Sequence, residues 1–68
     1  MKLKRFLREV GDEDIIRIFI KGQPATGAFT VYSFKRSMEY KIFKTATVDY
    51  VEEIPVPHGK VVNVYVKD

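Results

Sequence analysis

The residues able to do chemistry in this 68-residue chain fall into four groups. Carboxylates crowd at Asp12-Glu13-Asp14 and again at Glu52-Glu53. The single histidine, His58, stands between Pro57 and Gly59. Ser33, Ser37 and the threonines supply hydroxyls. Between residues 32 and 44, Lys35, Arg36, Lys41 and Lys44 alternate with Tyr32, Phe34, Tyr40 and Phe43. Catalysis by two carboxylates needs the pair held across a cleft, with one of them buried. Neighbours in a turn are solvated instead. A general base needs a pocket and an orienting partner, and a histidine in a Pro-His-Gly turn has neither by default. No hydroxyl lies in a nucleophile-elbow pattern. Gly22 and Gly27 lack the Gly-Lys-Ser/Thr ending of a phosphate loop. The chain has no cysteine, and one histidine does not make a usual metal-ligand set. The expectation is a non-enzymatic protein with no metal and no cofactor.

The basic and aromatic stretch is the best candidate site. Cations that meet phosphates, beside rings that stack on bases, are what binding of RNA, single-stranded DNA or a nucleotide requires. On that reading Lys35, Arg36, Tyr40, Lys41 and Lys44 carry the contacts. The competing reading puts Phe34, Ile42 and Phe43 in the core and leaves the lysines as a solvated face. Formal net charge is +3. Residues 22–46 carry four basic side chains against Glu39, while residues 47–68 carry two against four acidic ones. The middle is basic and the last third acidic, which favours an anionic partner mildly.

These residues need elements to hold them. Leu3, Phe6, Leu7 and Val10 follow i, i+3, i+4, i+7, with charged residues between, so the spacing predicts an amphipathic helix over 3–10. Gly11 stands where a left-handed cap would end it. Asp12-Glu13-Asp14 is a turn. In Ile-Ile-Arg-Ile-Phe-Ile, residues 15–20, the even positions form a wholly apolar side and the odd positions a mixed one. Such a strand belongs in the middle of a sheet. Residues 21–27 read as a hairpin loop longer than two residues, and residues 28–34 as a second strand rich in aromatic and β-branched types. Residues 33–43 allow two readings. Phe34, Met38 and Ile42 are spaced as on a helix that Ser33 could cap; Tyr40, Ile42, Ala46, Val48 and Tyr50 share parity, as on a long bent strand. We favour a short helix over 33–39 and a strand over 45–54. Pro55–Gly59 then breaks the chain, and residues 61–67 form the last strand, with Val62, Val64 and Val66 on one side. No internal repeat or linker is present.

The expected fold is α+β and a single domain over 1–68. An N-terminal amphipathic helix packs on a small, mostly antiparallel four-stranded sheet in the order α-β-β-(short α)-β-β, with curling toward an SH3- or Sm-like barrel as the alternative. A chain this short supplies a core worth only roughly 3–5 kcal/mol, and self-association is a common remedy. One short helix cannot cover both sheet faces. Phe19, Val51, Val61 and Tyr65 are therefore expected on an open face that a protein partner or a second copy covers. No apolar run approaches the roughly 20 residues of a membrane span, and the N-terminus lacks the apolar region of a signal peptide. The expected setting is the cytoplasm, with no membrane association.

Lys2-Leu3-Lys4-Arg5-Phe6-Leu7, the acidic turn, Ile15-Ile16-Arg17-Ile18-Phe19, the glycine loop, Tyr40-Lys41-Ile42-Phe43-Lys44 and the final valine-rich strand together resemble small accessory proteins of phages and mobile elements of Gram-positive bacteria. The resemblance implies a compact non-enzymatic protein that acts on a host or defence component. It assigns no functional residues. The helix over 3–10, the strand from Ile16 to Gly22, Gly27 and Phe43-Lys44-Thr45-Ala46-Thr47 resemble Sm-like RNA-binding proteins, which form rings of small barrels. Here Thr45 stands where bacterial members carry a histidine, and the span between Gly27 and Phe43 is short for two barrel strands. That likeness ranks second.

Overall fold

The computed structural model describes residues 1–67. Its axis is β1 (Ile15–Ile20), the strand marked by two-sided hydrophobicity. β5 (Gly59–Val66) lies beside it in parallel, pairing Ile15 with Val61 and Ile20 with Val66. On its other edge β1 pairs antiparallel with two short strands. β2 (Gln23–Pro24) meets the end of β1 and β3 (Phe29–Thr30) meets its start. β4 (Val48–Val56) pairs antiparallel with β5 and forms the far edge. The protein is the expected small α+β domain, with five strands rather than four and one parallel pairing among antiparallel ones. The sheet is not closed. β4 and the β2/β3 edge lie on opposite sides of the β1–β5 pair, so an open sheet takes the place of the barrel alternative.

The inner face is the core. Ile16 and Ile18 of β1 and Val62, Val64 and Val66 of β5 are buried there. Over them lie Leu3, Leu7 and Val10 from the N-terminal segment, and Val31 and Phe34 from the middle of the chain. The N-terminal helix is α1 (Leu3–Phe6) followed by a 3-10 turn, Leu7–Glu9. It ends without the left-handed glycine expected at Gly11, because Val10 is already extended. Asp14 closes that turn instead, its carboxylate accepting the Gly11 N–H at 3.1 Å.

Three local expectations change. Residues 28–34 form strand only at Phe29–Thr30. The Thr30 hydroxyl accepts the Ser33 N–H at 3.1 Å, and this cap turns the chain into α2 (Val31–Phe34). A local side-chain bond here outweighs the β-propensity of the stretch. The single helix over 33–39 is instead two short ones. Ser37 caps α3 (Met38–Phe43), accepting the Tyr40 N–H at 3.1 Å. The long loop over 21–27 contains a tight turn: Lys21 and Gly22 both have positive φ (53° and 78°), the geometry of a two-residue hairpin turn between Ile20 and Gln23. At the other hairpin, β4 continues through Pro55 and Val56, and only Pro57-His58 turn. Pro55 is tolerated because β4 is an edge strand. Among the described residues no helix is long and apolar enough to cross a membrane.

Candidate functional site: an uncovered sheet face and a cationic helical face

All three helical segments contribute to or flank the core on the inner face, and among the described residues the outer face of the sheet carries no helix. Its residues follow from strand alternation. β1 presents Ile15, Arg17 and Phe19. β5 presents Val61, Asn63 and Tyr65 opposite them. β4 presents Tyr50, Glu52 and Ile54 opposite Tyr65, Asn63 and Val61. Three rings line up across these strands. Tyr50 stacks on Tyr65 with centroids 4.3 Å apart and planes 6° apart, and Tyr65 stacks on Phe19 at 4.8 Å and 23°. The Arg17 guanidinium lies 5.5 Å from the Phe19 ring centre, and its Nε donates to Asn63 Oδ1 at 2.9 Å. The Tyr65 hydroxyl donates to Glu52 Oε1 at 2.6 Å. That bond, then partial desolvation and the Glu52 charge, push the Tyr65 phenol up to about 12. Each ring of the ridge stacks on its neighbour, and large side chains stand exposed at both ends. Ile54 and Val56 are 46% and 40% exposed at one end, and Tyr50 is 54% exposed at the other.

Of the residues expected on this face, Phe19, Val61 and Tyr65 are present. Val51 is not: it pairs with Val64 and packs against the core. The cause is a β-bulge between Val48 and Tyr50. Val48 points inward, the bulge absorbs Asp49, and every later β4 residue changes sides. Tyr50, expected with Val48, moves outward. Nothing in the residue types at 48–50 announces a bulge, so Tyr50, Ile54 and Val56 were not foreseen as exposed.

The basic stretch is dispersed. Lys35 lies 3.6 Å from the Asp12 carboxylate. The Arg36 guanidinium sits 3.9 Å above the Tyr32 ring. Tyr40 packs edge-on against the fully buried Phe34, at 5.7 Å, so its ring is committed to the core margin. Lys41 is exposed on α3 and Lys44 follows at its end. Lys44 has company that sequence reading passed over: its carbonyl accepts the Lys4 N–H at 2.9 Å, which sets α1 against the end of α3. Lys2, Lys4, Arg5 and Arg8 there line a shallow depression of about 380 Å³. None of the four has a carboxylate within ion-pair distance among the described residues. Lys4, Arg5 and Arg8, spaced i, i+1, i+4, are the polar side of an amphipathic helix, which looks like any solvated face until its neighbours are known.

The carboxylates are distributed over separate contacts. Asp12 meets Lys35, Asp14 caps Gly11, Glu53 meets Lys60 at 2.9 Å, Asp49 meets Lys67 at 4.0 Å, and Glu52 holds Tyr65. The Glu53 hydrogen bond raises the Lys60 ammonium pKa above its usual value. His58 is exposed in its turn. Among the described residues no group of three His, Asp or Glu side chains is placed to hold a metal ion. No family model, curated protein or solved structure matches the chain.

Proposed function

We propose that the protein is a non-enzymatic interaction module that works through the outer face of its sheet, covered first by a second copy of the chain. One observation carries this reading: the core-forming helical segments pack on the inner face, and the outer face holds a stacked aromatic ridge flanked by half-exposed aliphatic side chains. Tyrosine-rich, preordered surfaces with few free charges are the composition of interface centres. Arg17 Nε donates to Asn63 Oδ1 and the Tyr65 hydroxyl to Glu52 Oε1, so part of the polar groups on the ridge are paired before it is covered, and the remaining Arg17 N–H groups and the second Glu52 oxygen are left to bond across the interface. A standard interface takes about 800 Å² from each partner, against a total accessible surface of 4529 Å² here.

In line with its resemblance to phage and mobile-element accessory proteins, the module would act in the cytoplasm as an accessory or inhibitor protein and use the same ridge, or the dimer built on it, to hold a host protein. Sedimentation equilibrium tests the self-association, with Tyr50→Lys and Ile54→Lys as dissociating variants. The expected outcome is a concentration-dependent dimer lost in both.

The nucleic-acid reading has its own support, on the opposite side of the molecule. Among the described residues, Lys2, Lys4, Arg5, Arg8, Lys41 and Lys44 lack acidic partners. With Tyr40 committed to the core margin, contact on this side would be to phosphates rather than by base stacking, and so strongly salt-dependent.

A further inference from the structure

At the carboxyl ends of the parallel pair β1 and β5 the sheet opens into a second cavity of about 350 Å³. Ile20 and Val66, the last residues of the two strands and partners in register, form its floor. Phe43 and Ala46 form a wall, and Ile42, 66% exposed, forms a lip. The rim is polar. Lys2 Nζ donates to Thr47 Oγ1 at 3.3 Å, and the Lys67 N–H donates to the Thr47 carbonyl at 2.9 Å, so both lysines are tethered to the same residue. This position has a physical logic. The two strands stop together, which leaves a crevice beyond their carboxyl edge. The volume lies at the small end of the roughly 300–1,000 Å³ of small-molecule sites. An apolar floor under a few convergent polar groups is the chemistry of such sites.

The geometry points to a small-molecule site for an amphipathic monoanion: an aliphatic body on Ile20, Ile42, Phe43 and Val66, and one carboxylate at Lys2 and Thr47. The charge count selects the head group. Lys67 Nζ is 4.0 Å from Asp49 and partly compensated by it, whereas Lys2 has no acidic partner among the described residues. Of the two lysines that line this cavity, about one positive charge is left for the ligand, since Lys4, Arg5 and Arg8 line the neighbouring depression and not this one; that matches a carboxylate better than a doubly charged phosphate. This site shares no residue with the outer sheet face and stands independently of the dimer.

The test is a titration of the ¹⁵N-labelled protein with octanoate, 1-octanol, acetate and a short peptide ending in a free leucine carboxylate, followed by amide shifts. Octanoate is expected to give saturable shifts centred on Ile20, Ala46, Thr47 and Val66. 1-Octanol should bind roughly tenfold more weakly for want of the charge-assisted contact, and acetate should shift nothing. Lys2→Gln should weaken octanoate roughly tenfold and leave 1-octanol unchanged; the exposed Ile42→Ser should weaken both. Unsaturable octanoate shifts, octanol binding as tight as octanoate, an acetate response equal to octanoate, or no effect of Lys2→Gln would each overturn the site. Binding of the peptide without binding of octanoate would overturn its assignment to a free acid.

Discussion

Gly59 is the tightest point of the β4–β5 hairpin, and replacing it gives a graded test of the fold. Its φ is +136°, and a Cβ placed there would lie 2.9 Å from Asp14 Oδ1. An L-residue held in that backbone region costs on the order of 1–3 kcal/mol. The Asp14 carboxylate must also move, which gives up part of its 3.1 Å bond to the Gly11 N–H, worth about 0.5–1.5 kcal/mol. Gly59→Ala should therefore cost about 2–4 kcal/mol. Gly22 has φ +78° with open space around it, so Gly22→Ala should cost about 1 kcal/mol from backbone strain alone. Gly27 has neither problem, and Gly27→Ala should be neutral or slightly stabilising through the unfolded chain. A domain of this length has roughly 3–10 kcal/mol in hand, so the series spans from no effect to near-unfolding. Urea denaturation followed by circular dichroism reads the order. At about 4–8 °C per kcal/mol for a domain this small, thermal melts give a drop of about 10–30 °C for Gly59→Ala. In an Asp14→Ala background the contact is gone, and Gly59→Ala should cost about 1 kcal/mol less than alone. A Gly59→Ala cost no greater than that of Gly22→Ala would refute the reasoning.

The bulge at Asp49 makes Val51→Lys more damaging to the subunit than Ile54→Lys although Ile is the larger side chain, by about 1–2 kcal/mol in the same denaturation assay at a concentration where the chain is monomeric, because Val51 packs on the core and Ile54 is half-exposed on the outer face. Tyr65 should titrate at about 12 by absorbance at 295 nm, and Glu52→Gln should bring it down toward the ordinary tyrosine range. Because the folded value is raised, this group's contribution to stability is complete below about pH 10, the ordinary tyrosine value, and declines as pH climbs from there to about 12. On the nucleic-acid reading, affinity for RNA or single-stranded DNA measured by fluorescence anisotropy should fall steeply with salt, and an Arg5→Gln/Arg8→Gln variant should flatten the log–log slope by about 1.4; salt-independent binding would contradict it.

The sequence made legible what depends on periodicity. The alternation at 15–20 identified the central strand and both of its faces, and the 3,4-spacing of Leu3, Phe6, Leu7 and Val10 identified the helix that covers one of them. The elements it concealed are those decided by a single hydrogen bond or a single register step. Thr30 and Ser37 each cap a turn with one hydroxyl and so cut the stretch from 28 to 43 into pieces too short for any period to register. The bulge at Asp49 inverts the outward set of β4, which exchanged Val51 for Tyr50 on the open face. The five residues expected to form one nucleic-acid patch lie apart for the same reason: two short helices with a break between them turn Lys35, Arg36 and Tyr40 to different neighbours. The cations Lys2, Lys4, Arg5 and Arg8 are visible in the sequence as residues, but the depression that they line together, and the backbone bond that sets α1 against the end of α3, are visible only in the fold.

Sedimentation equilibrium of the purified chain, alongside Tyr50→Lys, bears most directly on the open sheet face. The account predicts a dimer at micromolar concentration that reverts to monomer in the variant while its melting curve keeps a single cooperative transition. A chain that stays monomeric to millimolar concentration, with Tyr50→Lys indistinguishable from it, would contradict the account.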